Sequence, residues 1–145
     1  MKSKILIATL ALAAYATGAT AQLEPARIAP AEMQWVKTPN GAERANLAGA
    51  DTKPGMYVYR TRFPANFRNQ VHYHPDQRVV TIMSGTLYVG YGETFDESKM
   101  KALPAGSIWT EPAKQPHYVW AKDGEVVIQV IGGNGPSAVI TIPQK

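Results

Sequence analysis

The stretch His72-Tyr73-His74-Pro75-Asp76-Gln77-Arg78 carries two of the chain's three histidines. Its surroundings are rich in β-branched and aromatic residues. In an extended strand, side chains i and i+2 project from the same face. A His-x-His strand therefore aims two imidazoles at one point, as a metal-binding strand does. The third histidine, His117, must return in space to join them. The rest of the chain is read as the scaffold that brings it back.

Working outward, the segment before the pair alternates from Met56 to Phe63 and reads as a strand, broken by Pro64-Ala65-Asn66. Phe67 to His74 reads as the next strand. Pro75-Asp76 is a turn, and Arg78 to Met83 is strand again. Ser84-Gly85 predicts a two-residue hairpin into Thr86 to Tyr91. Thr94, with Glu97 three residues on, predicts a capping box and one short helix from Phe95 to about Leu103, stopped by Pro104. Ser107 to Glu111, His117 to Ala121, Val126 to Ile131 and Ala138 to Ile142 complete roughly eight short strands. Turn signals separate them, as in an all-β sandwich or small barrel.

The two ends read differently. Lys2 and Lys4, the short apolar run Ile5 to Ala14 and Ala19-Thr20-Ala21 have the form of a secretory signal peptide over residues 1–21. The apolar run is too short to span a bilayer. Export to the periplasm or secretion, with no membrane association after cleavage, is the expectation. Loss of the two lysines lowers the formal charge from +4 to +2. No Lys/Arg cluster supports a nucleic-acid partner. The chain has no cysteine, which excludes thiolate ligands, disulfides and cysteine nucleophiles. Residues 22–54, punctuated by Pro25, Pro30, Pro39, Gly41 and Gly49, are expected to form an N-terminal extension that wraps the core or adds an edge strand at Met33-Gln34-Trp35-Val36. The main domain is then 55–145.

The pattern resembles the cupin superfamily, whose first motif reads G-x5-H-x-H-x3–4-E-x6-G and whose second reads G-x5-P-x-G-x2-H-x3-N. His72, His74 and Gly85 match the first, with Asn66 at its first glycine and Arg78 at its glutamate. Gly106, Pro112 and His117 match the second, with Lys114 at a glycine and Ala121 at the asparagine. The resemblance implies a cupin-type double-stranded β-helix, a jelly-roll-like small barrel, with one short helix between the motifs. It implies His72, His74 and His117 as ligands of a divalent transition metal: Fe, Zn, Ni, Cu or Mn. Three-histidine cupins that resemble this chain include iron dioxygenases, while others are zinc or nickel proteins. Cupins of this kind are often dimers, so a homodimer is expected as well.

Imidazole suits all of these metals, and three protein ligands leave positions open for water or substrate, as in catalytic sites. By strand alternation Arg78 shares a face with Val80 and Ile82, so its cation comes close to a would-be dication. Three readings stand side by side. Arg78 binds a carboxylate or phosphate of a substrate; or a bulge turns Arg78 outward and brings Gln77 in as an oxygen ligand; or the site is an anion pocket without metal. Gln129 interrupts the apolar strand Val126 to Ile131 and faces either the cavity or solvent. Glu111, before Pro112, is a candidate acid or ligand, or an exposed strand end. Tyr118 and Trp120 have opposite parity to His117 and are expected outside the barrel. The functional expectation is a metal-dependent enzyme, with dioxygenase-like, isomerase or lyase chemistry on a small anionic molecule. The alternative is a non-catalytic binding module for a small ligand or metal.

Overall fold

A computed structural model describes residues 22–144, so the signal-peptide segment 1–21 lies outside the described residues. Among the described residues, eleven strands form two antiparallel sheets. They are β1 (Val36–Lys37), β2 (Glu43–Ala48), β3 (Gly55–Phe63), β4 (His72–Tyr73), β5 (Arg78–Ser84), β6 (Thr86–Tyr91), β7 (Lys101–Pro104), β8 (Ile108–Glu111), β9 (His117–Trp120), β10 (Val126–Gly135) and β11 (Ile140–Thr141). One sheet has the order β1-β2-β3-β10-β5-β8 and the other β11-β4-β9-β6-β7. Two such sheets packed face to face make the jelly-roll architecture expected from the spacing of short strands.

Alternation explains which residues fill the space between the sheets. Along β10, Val126, Ile128 and Val130 are buried while Val127, Gln129 and Ile131 lie on the outer face. Along β5, Val80 and Ile82 are buried and Val79 and Met83 exposed. Tyr57, Tyr59 and Phe63 from β3, Leu87 and Val89 from β6, Trp109 from β8 and Val119 from β9 complete the core. Each fully buried aliphatic or aromatic side chain of this kind contributes roughly 1.5–3 kcal/mol.

All four motif positions that call for glycine keep a left-handed backbone. Gly85 and Gly106 have φ of +76° and +87°; Asn66 and Lys114, which stand where glycines are expected, have φ of +64° and +62°. Asn adopts this region readily, whereas Lys does so at a cost of roughly 1–2 kcal/mol. The Lys114 amide is bonded to the His74 carbonyl oxygen at 2.7 Å, which ties this turn to the histidine strand.

Several local expectations are corrected. Ser84-Gly85 does not make a hairpin. β5 pairs with β10 and β8, and β6 pairs with β9 and β7, so Gly85 carries the chain from one sheet to the other. A left-handed glycine serves either route; the long partner β10 takes the edge of β5 that β6 would have used. The helix expected from Phe95 to Leu103 is a single 3-10 turn, Glu97–Lys99. Its cap is Asp96, whose carboxylate accepts from the Ser98 amide at 3.0 Å, rather than Thr94. Residues 101–104 pair with β6, Leu87 opposite Leu103, because the open edge of a buried strand outweighs weak local helix preference. The strand expected over Phe67 to His74 contracts to β4, with one isolated bridge between Arg68 and Trp120. In the N-terminal part, β1 is shifted to Val36–Lys37, and β2 is a strand that the proline and glycine punctuation concealed.

Candidate metal centre

Four inward-facing strand termini meet at the site. His72 opens β4, His117 opens β9, Arg78 opens β5 and Glu111 closes β8. His72 sits directly opposite His117, and Arg78 directly opposite Glu111. Each polar side chain is thus the last inward position before its strand leaves the sandwich. Together they form a polar layer against the apolar core.

The three imidazoles converge. Ring centroids are 4.9 Å apart for His72 and His74, 4.4 Å for His72 and His117, and 5.2 Å for His74 and His117. One ligand atom from each lies within 4.8 Å of the others. Every Nδ1 faces a backbone carbonyl oxygen: Gln70 at 2.8 Å, Ala138 at 2.6 Å and Gln115 at 3.0 Å, for His72, His74 and His117 respectively. A carbonyl accepts only, so each Nδ1 carries the hydrogen and each Nε2 presents a lone pair. The Nε2 atoms of His74 and His117 are buried and have no hydrogen-bond partner.

Electrostatics keeps the rings neutral. Burial, then the neighbouring His117, pushes the His72 pKa down to about 4. Burial, then the Arg78 guanidinium, pushes His74 down to about 2. Burial brings His117 to about 4. Neutral imidazole is the metal-binding form.

Arg78 is turned inward and buried, and it meets an internal partner. Its Nε and Nη2 both bind Glu111 Oε2, and its Nη1 donates to the Tyr59 hydroxyl at 2.9 Å. Glu111, whose exposed-strand-end reading is corrected, is 4 % exposed. Burial raises its pKa, against which the Arg78 cation acts. Its Oε1 lies 3.4 Å from His117 Nε2, and its Oε2 3.7 Å from His74 Nε2. Both separations are long for hydrogen bonds. Imidazole lone pairs and a carboxylate therefore face one point with no donor between them. A cation satisfies such a cluster, and this donor set fits a divalent transition metal.

Two expected binding residues lie elsewhere. Gln77 is exposed: it precedes the inward Arg78, so alternation turns it out. The reading in which Gln77 replaces Arg78 at the histidines is set aside. Gln129 lies on the outer face between inward Ile128 and Val130, where its Oε1 accepts from Arg60 Nε at 3.1 Å. Asp76 is buried and accepts from the Tyr57 hydroxyl at 2.5 Å. Tyr118 is fully buried outside the barrel interior, with Phe95 over it at a ring distance of 4.9 Å. Tyr59, the second partner of Arg78, was missed; in sequence it is one aromatic of an alternating strand.

A cavity of about 680 Å³ adjoins the site. Its wall includes His72, His74, Arg78 and Glu111. Buried Phe63, Val119 and Ile128 make it apolar inside, and the exposed Asn40, Arg68 and Gln70 stand at its rim.

The sequence matches no protein-family model and no curated protein. The structure, by contrast, is similar to solved cupin structures. An RmlC-like cupin from Shewanella frigidimarina NCIMB 400 superposes with a TM-score of 0.63 at 15% identity, over 78% of this chain and 94% of that one. The polyketide cyclase RemF from Streptomyces resistomycificus gives 0.66 at 14% identity, over 84% and 88%. The DMSP lyase DddQ from Ruegeria pomeroyi DSS-3 gives 0.60 at 16% identity, over 79% and 64%. The chain has the cupin fold.

Proposed function

We propose that this cupin-fold chain binds one divalent transition metal through His72, His74 and His117 and acts as a metal-dependent enzyme on a small molecule admitted by the adjoining cavity. The observation that carries the reading is the convergence of neutral imidazoles whose Nδ1 hydrogens are engaged by carbonyls. A bound metal supplies Lewis acidity and open coordination positions. The chain's own part is to hold the lone pairs in place, exclude water from the apolar wall and orient the ligand from the rim. Lyase, isomerase and dioxygenase-like chemistries are the classes to test; solved structures of a polyketide cyclase and a DMSP lyase share the fold. The test is metal analysis of the purified protein, then turnover on a substrate panel. Absence of metal after reconstitution defeats the reading.

The alternative, a non-catalytic binding module, has one specific observation behind it. The carboxylate facing the histidines is tied to Arg78 and so is a poor proton shuttle. Stoichiometric metal with ligand binding but no turnover would select it. The anionic character of the ligand is also part of the proposal, although the charge of Arg78 is met by Glu111. Export with cleavage after Ala21 remains part of the proposal and is checked by intact mass. So does a homodimer, checked by sedimentation.

A further inference from the structure

We infer that the carboxylate ligand of this centre has moved to another strand. Glu111 on β8 supplies it, and Arg78 acts as the positioning residue that holds it. The inference rests on the three-histidine reading above.

The starting point is a substitution. The position that the resemblance assigns to a glutamate ligand on β5 is Arg78, which cannot donate to a metal. Directly across the ladder, on the same inward face, stands Glu111. Paired antiparallel residues lie about 4.5–5.5 Å apart, so a carboxylate from β8 reaches the space that one from β5 would have filled. Arginine is accommodated on β5 because its guanidinium then points along the sheet at the displaced acid.

The division of the two oxygens supports a ligand role. Both Arg78 contacts fall on Oε2, while Oε1 lies 3.4 Å from His117 Nε2. Ligand atoms about 2.1 Å from one tetrahedral ion are about 3.4 Å from each other. Arg78 thus occupies Oε2, which also lies 3.7 Å from His74 Nε2, and leaves Oε1 free toward His117 Nε2. Tyr59 holds the far side of the guanidinium at 2.9 Å, which fixes the carboxylate's orientation. The carboxylate thus lies between the guanidinium, which it meets through Oε2, and the imidazole of His117, which its Oε1 approaches.

The test uses the full chain as exported, freed of metal and titrated with zinc(II) and cobalt(II) alone. Affinity is read by chelator competition, geometry by the cobalt(II) visible spectrum, and carboxylate ligation by infrared difference spectra on zinc addition. In the wild type, zinc should shift carboxylate bands. Glu111→Gln should abolish that shift, alter the cobalt spectrum and weaken binding by at least about tenfold, the range seen when groups supporting a metal site are lost. Arg78→Met should move the carboxylate bands while metal is retained, and Arg78→Lys should restore them toward wild type. A wild type that binds zinc without any carboxylate shift overturns the inference and leaves the three-histidine site standing. So does a Glu111→Gln protein that binds within twofold and has an unchanged cobalt spectrum. A wild type that takes up neither metal overturns both. Should Glu111→Gln fail to fold, the wild-type infrared spectrum alone decides.

Discussion

Mild acid should remove a large part of the stability of the metal-free protein. Each site histidine is neutral in the folded state, with its pKa lowered by burial to about 4, about 2 and about 4 for His72, His74 and His117. In the unfolded chain each returns to about 6.5. Below that value the unfolded state binds protons that the folded state refuses, so stability falls as pH falls. Each group costs about 1.4 kcal/mol per pH unit once well below 6.5. Between about pH 7 and about pH 5 this amounts to roughly 2 kcal/mol per histidine, or roughly 5–6 kcal/mol for the three. Glu111 works in the opposite sense, because burial raises its pKa and the folded state then takes up a proton more readily; it returns part of the loss. A typical domain has about 5–15 kcal/mol in total. Urea unfolding followed by tryptophan fluorescence, in chelator at the two pH values, measures the difference. His72→Gln should reduce it by about a third. A change below about 2 kcal/mol, or ring resonances titrating near 6.5 in the folded protein, would refute neutral buried imidazoles.

Because the rings are already deprotonated, metal binding at about pH 6 should release few protons; calorimetry in buffers of different ionisation enthalpy reads the number directly. Saturating zinc at about a hundred times its Kd should stabilise the fold by about 3 kcal/mol, visible as a raised Tm, and His117→Ala should lose that increment. Tyr59→Phe removes the hydroxyl that accepts from Arg78 and should cost about 1.5–3 kcal/mol in urea unfolding, as for hydrogen bonds to charged groups. Gly132→Ala would place a methyl group onto the Tyr57 ring, whose hydroxyl is bound to Asp76. Overpacking there should cost roughly 3 kcal/mol or more, seen as a lowered urea midpoint.

The sequence by itself was enough for the strand class, the approximate positions of the strands other than β2 and β7, and the three histidines. Period-two alternation is a local property, and it put Val80 and Ile82 on one face without knowledge of any partner strand, whereas the side taken by Ile128 and Val130 was settled only by the packing of β10 into the core. The His-x-His spacing and the distance to His117 are likewise a pattern along the chain. Even the two missing motif glycines left a readable trace, since Asn66 and Lys114 retain the left-handed turn. What the tertiary structure decided were matters of pairing. Ser84-Gly85 carries the same local turn signal whether β6 returns beside β5 or crosses to the other sheet; the choice depends on β10, over forty residues away. The short helix yielded to an open strand edge for the same reason. The fate of Arg78 is the clearest case. Alternation put it on the face of Val80 and Ile82 but left a bulge that turns it outward open, and its partner was not legible at all, because Glu111 becomes its neighbour only through the β5–β8 register. Cross-strand register is set by long-range packing, and it determines whether a buried arginine meets a substrate anion or a carboxylate of its own chain.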